Sequence, residues 1–312
     1  MRERTLILIA ALFAGCYRDP VKPIDNTTPP PSNGGGALAI RDCGKHDDLG
    51  APPIDVNPDG RLRSQSTGVL SGASGRSWAG DAIPDHVPRK LDTLELFVLD
   101  KADGGLLAFY REPYNLKSCT LGGTGNCAYQ ARFYDRNGDL RWKLALDKLM
   151  SRSDNLEVQD IRLADGVLYF NEACQSYSSG ANGQCSSLVA VDPRARKVLW
   201  RTPPLTSNGR FRLRGCYIIA GYGFTAEPDW LFLVERTSGA VLQKLFVSSS
   251  PGKLTLNGPD RLDVELYSGI TRRFQLDGME ASNGRIVALD RDPYGGATYG
   301  GAAYGGAAYG GP

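Results

Sequence analysis

An excess of charge of either sign is missing from this chain: 36 lysines and arginines face 34 aspartates and glutamates over 312 residues. Without a broad field of one sign there is no electrostatic draw towards nucleic acid, which is not an expected partner. Histidine is nearly absent, with only His46 and His86. Zinc sites normally combine histidines with closely spaced cysteines, so no metal is expected, and nothing points to a cofactor. A glycine-rich phosphate loop leading into a helix is lacking as well, and helical periodicity is scarce. The apolar run from Leu6 to Ala14 is too short to cross a bilayer, which takes about 20 residues.

What that run does have is the right company. Arg2 and Arg4 precede it, and Phe13-Ala14-Gly15-Cys16 ends it. A basic start, a short apolar stretch and a small-residue cleavage site make a secretory signal, and the ending resembles the lipobox of bacterial lipoproteins. That resemblance implies cleavage before Cys16, acylation of Cys16 as the mature N-terminus, and attachment to the membrane through the N-terminal lipid. Tyr17 in place of aspartate resembles the pattern of lipoproteins sent to the outer membrane. The implied address is the bacterial cell envelope, facing the periplasm or the exterior.

Six cysteines remain: Cys43, Cys119, Cys127, Cys174, Cys185 and Cys216. An even number in an exported chain favours disulfides. Cys119 and Cys127 flank one polar, glycine-bearing insert and Cys174 and Cys185 another, so each pair is expected to staple its own loop. Elimination leaves Cys43 and Cys216 to each other.

The domain plan follows from composition. Residues 1–15 read as the lipoprotein signal. Residues 16–38 carry the lipidated cysteine and a proline- and glycine-rich tether. Residues 39–292 form an all-β domain, and residues 293–312 repeat Tyr-Gly-Gly-Ala with period five, a low-complexity tail. Within the β domain strand-like alternation is broken by Gly, Pro, Asn and Asp. Only Leu144 to Arg152 suggests a helical turn or two.

The middle of the chain repeats itself. Residues 131–142, 188–200 and 231–243 each read strand, acidic turn, strand, with Asp135, Asp192 and Glu235 at the turns. Another apolar strand precedes each, beginning at Gly105, Gly166 and Gly215, and a fainter fourth unit pairs residues 261–267 with 271–276. Asp135 and Asp192 lie 57 residues apart, Asp192 and Glu235 only 43, the first interval being stretched by the insert between Cys174 and Cys185. These segments resemble quinoprotein-like (PQQ-like) β-propeller repeats, in which a strand ending in an acidic residue turns through Thr-Gly into a strand ending in Trp. Val189 to Trp200 and Val234 to Gly239 carry the likeness. It implies a β-propeller-like domain, short or irregular at five or six blades, with Trp142, Trp200 and Gly239 as packing and turn residues. A four-stranded blade cannot bury both faces alone, which is why blades stack.

Chemical motifs are incomplete. Asp135-Arg-Asn137-Gly-Asp139 begins like a calcium loop but has Leu140 and Leu146 where glycine and glutamate are required, so a hairpin turn is expected. Gly75-Arg-Ser77-Trp-Ala79 lacks the final glycine of a hydrolase elbow. The residues from Asp42 to Asp48, which include Cys43 and His46, read as a solvated loop. No catalytic residue is assigned. The expected function is a non-catalytic protein-binding or scaffolding module with an envelope protein as partner. The alternatives are a quinoprotein-like or hydrolytic enzyme using the propeller channel, and a carbohydrate-binding or sensor lipoprotein relying on exposed Tyr222, Phe224 and Trp230.

Overall fold

The computed structural model describes residues 54–55, 83–113, 127–151, 155–224 and 227–290. Among them there is no α-helix. The segment expected to turn helically contributes one 3-10 turn, Leu146–Lys148, and a second such turn is Ser178–Ala181.

Everything else regular is antiparallel sheet. The first sheet holds β1 (Ile54–Asp55), β2 (Lys90–Leu91), β3 (Leu94–Ala102), β4 (Gly105–Arg111), β5 (Tyr129–Tyr134) and β6 (Leu140–Ala145), with β1 and β2 both pairing β3. The second holds β7 (Leu156–Glu157), β8 (Ile161–Ala164), β9 (Val167–Cys174), β10 (Ser187–Asp192) and β11 (Lys197–Arg201). Sheets three and four are plain four-stranded meanders. The third runs β12 (Arg212–Arg214), β13 (Tyr217–Tyr222), β14 (Trp230–Glu235), β15 (Val241–Phe246), and the fourth β16 (Pro251–Leu256), β17 (Arg261–Leu266), β18 (Thr271–Asp277), β19 (Arg285–Ala288). Successive meanders of this kind are the blades of a β-propeller-like repeat domain.

The repeat is visible in the register. In each acidic hairpin a β-bulge falls in the two residues before the turn acid, at Phe133/Tyr134, Ala190/Val191 and Leu233/Val234. One pair beyond the bulge, Phe133 faces Trp142, Ala190 faces Trp200 and Leu233 faces Gln243. Those three positions are therefore equivalent. The turns differ in how they reach a left-handed backbone. Gly138 and Gly239 do so as glycines, at φ 86° and 75°, whereas Arg196 holds φ 54° in the unit whose turn has no glycine.

Stacking buries the blade faces. Phe97, Leu107 and Phe109 of the first sheet pack with Ile161, Leu168, Phe170 and Val189 of the second. Tyr169, Leu188 and Trp200 then meet Leu213, Ile218, Phe232 and Val234 of the third, and Ile219, Leu231 and Leu233 meet Val264, Phe274 and Ile286 of the fourth. The fourth sheet buries only one face. On the other, Lys253, Glu265, Thr271 and Arg273 are exposed, and opposite charges face each other across strands at Lys253–Glu265 and Asp263–Arg273.

Hydrogen bonds join the blades turn to turn. Asp103, between β3 and β4, accepts from the amides of Asp165 (3.0 Å) and Gly166 (2.7 Å). Asp165 in turn accepts from Arg236 at 3.0 Å, and Arg236 also donates to the Gly215 carbonyl at 2.8 Å. The Cys216 amide then donates to the Met279 carbonyl at 2.9 Å.

Candidate interaction surface

The connection between β9 and β10 is a loop closed at its base by the Cys174–Cys185 disulfide, with Cα atoms 5.0 Å apart. This is the staple expected from the spacing. Cys127 and Cys216 are also disulfide-bonded; the partners expected for them, Cys119 and Cys43, lie outside the described residues, as do Cys16 and the Gly75–Ala79 and Asp42–Asp48 motifs.

The stapled loop is latched onto the neighbouring blade by one carboxylate. Glu227, in the connection between β13 and β14, accepts from the Ser178 amide at 2.7 Å and the Ser178 hydroxyl at 2.9 Å through one oxygen. Its other oxygen accepts from the Tyr222 hydroxyl. Burial, followed by that hydrogen bond, pushes the Tyr222 phenol up and keeps it a donor.

Aromatic rings continue across the latch. Tyr177 lies 5.6 Å from Phe224, which lies 6.0 Å from Tyr222. Tyr222 pairs across strands with Trp230, and Trp230 with Phe246, their rings 5.6 Å apart and edge-on. Lys244 sets its ammonium 3.9 Å above the Trp230 ring and 5.7 Å from that of Phe232. Burial holds this ammonium below the ordinary lysine range, and among the described residues no carboxylate pairs with it. The run ends in solvent on both sides, with Tyr177 44% and Phe246 41% exposed.

A second carboxyl, Asp229, stands immediately before Trp230 in the chain. A Cβ on Gly223 would sit 1.9 Å from Asp229 Oδ1, so the close approach of this side chain requires glycine. Oδ1 is buried with no hydrogen-bond partner. Burial, with the negative charge of Glu227 second, pushes the Asp229 carboxyl up to about 7. One oxygen of Glu227 is thus engaged by the loop at Ser178 and the other by Tyr222 of β13, while Oδ1 of Asp229 is withdrawn from solvent.

The residues singled out in the repeat are not gathered at one place. Asp135 Oδ1 accepts from the amides of Asn137 (2.9 Å) and Asp139 (3.0 Å), and Asp192 Oδ1 from those of Arg194 and Ala195. Glu235 accepts from the Ser238 hydroxyl. Each acid thus closes its own hairpin. Trp142 stacks on Phe133, and Trp200 donates to the Arg236 carbonyl at 3.0 Å while lying against Gly239, where an added Cβ would come within 2.5 Å of the indole. The exposure expected for Tyr222 and Phe224 needs correction, whereas Trp230 is partly exposed. Tyr222 and Phe224 are 2% and 5% exposed, because the disulfide loop and its Glu227 latch cover them. Glu227, Asp229 and Lys244 escaped the sequence reading because single charged residues in a polar loop and an edge strand carry no spacing signal.

No protein-family description matches the chain, and no curated protein does. Among solved structures it is similar to the WD40 domain of Toxoplasma gondii coronin (TM-score 0.34, 11% identity, 60% of this chain against 55% of that one). It is also similar to the Neurospora crassa Pan2 WD40 domain (0.34, 11%, 61% against 65%) and to BamB from Moraxella catarrhalis (0.27, 14%, 62% against 69%). The chain spans little more than half the length of the coronin structure. The strand order and register of its sheets are those of a β-propeller-like repeat domain.

Proposed function

We propose that this chain is a lipid-anchored module of the bacterial envelope, held at the membrane through Cys16, whose blades form a non-catalytic platform for a partner envelope protein. The observation that carries the platform is the aromatic run between the stapled loop and β15. It joins two blades, ends in exposed Tyr177 and Phe246, and includes a lysine that no carboxylate among the described residues pairs with. Aromatic side chains fixed in place give contact area at little entropic cost, which is the usual make-up of protein-binding surfaces. The anchor is supported by the lipobox-like sequence alone.

The test is crosslinking of the full-length protein in intact cells, followed by affinity purification and mass spectrometry, with Cys16→Ser as control. A reproducible envelope protein recovered with the native chain and lost with Cys16→Ser is the expected result. A chain that crosslinks to nothing while its domain remains folded removes the reading.

A further inference from the structure

The four blades do not guard their outer edge strands equally. The outer strand of the first sheet, β6, carries Arg141 and Lys143, and that of the second, β11, carries Lys197 and Arg201. Charges of this kind discourage strand addition. In the fourth sheet the Gln243 side chain exchanges two hydrogen bonds with Ile286 on β19, one to its carbonyl and one from its amide, both 2.8 Å, so that edge is occupied. The outer strand of the third sheet, β15, is the exception. It reads Val-Leu-Gln-Lys-Leu-Phe, with one charge and with Leu242 49% exposed and Phe246 41% exposed. Among the described residues it pairs only with β14, and nothing hydrogen-bonds to its outer edge.

The bulge opposite Leu233 and Val234 interrupts the part of β15 near the turn, leaving Gln243 to Phe246 regular. On this segment Lys244 and Phe246 share the face that Trp230 also lines. An incoming strand on that edge would complete the main-chain ladder and lay alternate side chains against these three. The ammonium sets the chemistry of the guest, since a partly buried cation that no carboxylate among the described residues pairs with is relieved by a carboxylate placed opposite it. A second copy of this chain does not satisfy that condition. Antiparallel pairing of two such segments would set the Lys244 side chains opposite each other or on the adjacent diagonal of one face, a like-charge contact.

Building on the platform reading above, we infer that the β15 edge from Gln243 to Phe246 docks an extended segment of the partner protein by strand addition, with an acidic residue opposite Lys244 and apolar residues beside Trp230 and Phe246.

The probe is a fluorescent, end-capped peptide, Val-Thr-Glu-Thr-Phe-Thr, whose valine, glutamate and phenylalanine share one face, titrated by anisotropy against the full-length chain, alongside a partner in which lysine replaces glutamate. The native chain should bind the acidic peptide saturably and at least tenfold more tightly than the basic one. Lys244→Glu should reverse that order, a gain that mere loss of folding does not produce. Methylating alternate peptide nitrogens should abolish binding in one phase and spare it in the other. Absence of saturable binding by either peptide overturns the inference, as does binding indifferent to charge and to methylation. If the cell crosslinking yields an anchored partner while the peptides fail, the edge proposal falls and the platform stands. If the peptides bind as stated and cells yield no partner, the edge stands and the platform falls.

Discussion

Burial, with the negative charge of Glu227 second, makes the Asp229 carboxyl hold its proton more tightly than an ordinary aspartate. Its folded value of about 7 lies above the ordinary 3.8, so the folded state binds the proton more tightly than the unfolded one. Stability from this group is therefore full below about pH 4, falls as pH rises towards 7, and is flat beyond. Asp229→Asn should melt at a higher temperature than the native chain at pH 8 and at the same temperature at pH 4; equal differences at both pH values would contradict this. The left-handed turn residues give a second residue-scale contrast. Gly239→Ala meets both an unfavourable φ and the Trp200 indole, and should cost about 1–3 kcal/mol in urea unfolding. Arg196→Gly relieves a left-handed non-glycine and should leave stability unchanged or raise it by up to about 1 kcal/mol.

At the scale of elements, the stapled loop and the hairpin docking invite separate tests. Replacing Cys174 and Cys185 together by alanine removes a closure across 11 residues and should cost about 2–3 kcal/mol, with new protease cleavage between Gln175 and Gln184 as the local sign. Gln243→Ala strands the amide and carbonyl of Ile286 and should cost about 1–3 kcal/mol, read from denaturant midpoints. The hairpins were the legible part of this molecule. Acidic turns followed by Trp142 and Trp200 mark the repeat because a hairpin packed between blades needs the same bulge and the same large residue each time. The third unit has Gln243 at the tryptophan position, where it docks on the next blade by hydrogen bonds instead of by its surface. Tyr222 and Phe224 misled, since aromatic residues in a loop read alike whether another loop covers them or not. The covering residue, Glu227, lies 49 residues from its partner Ser178, and no local pattern records so distant a contact.

For the molecule as a whole, the two faces of the fourth sheet matter most. A blade inside a stack buries both faces, whereas this one presents alternating charges on its outer side, as terminal repeats in stacked arrays do. Stability should therefore be graded along the array: amides of β17 and β18 should exchange with deuterium faster than those of β9, β10, β13 and β14, and uniform exchange would show one cooperative unit instead. The joints between turns bear on how the chain yields to a pull. Tension applied between Lys90 and Asp290 passes in series through the Asp103 joint, the Arg236 joint and the Cys216–Met279 joint. Of these the middle one is the strongest, with a fully buried guanidinium bridging Asp165 and Gly215 and the Trp200 indole bonded beside it. A stretched molecule should give way at its flanks first, shedding the first and fourth blades as separate force steps while the second and third hold together as a pair.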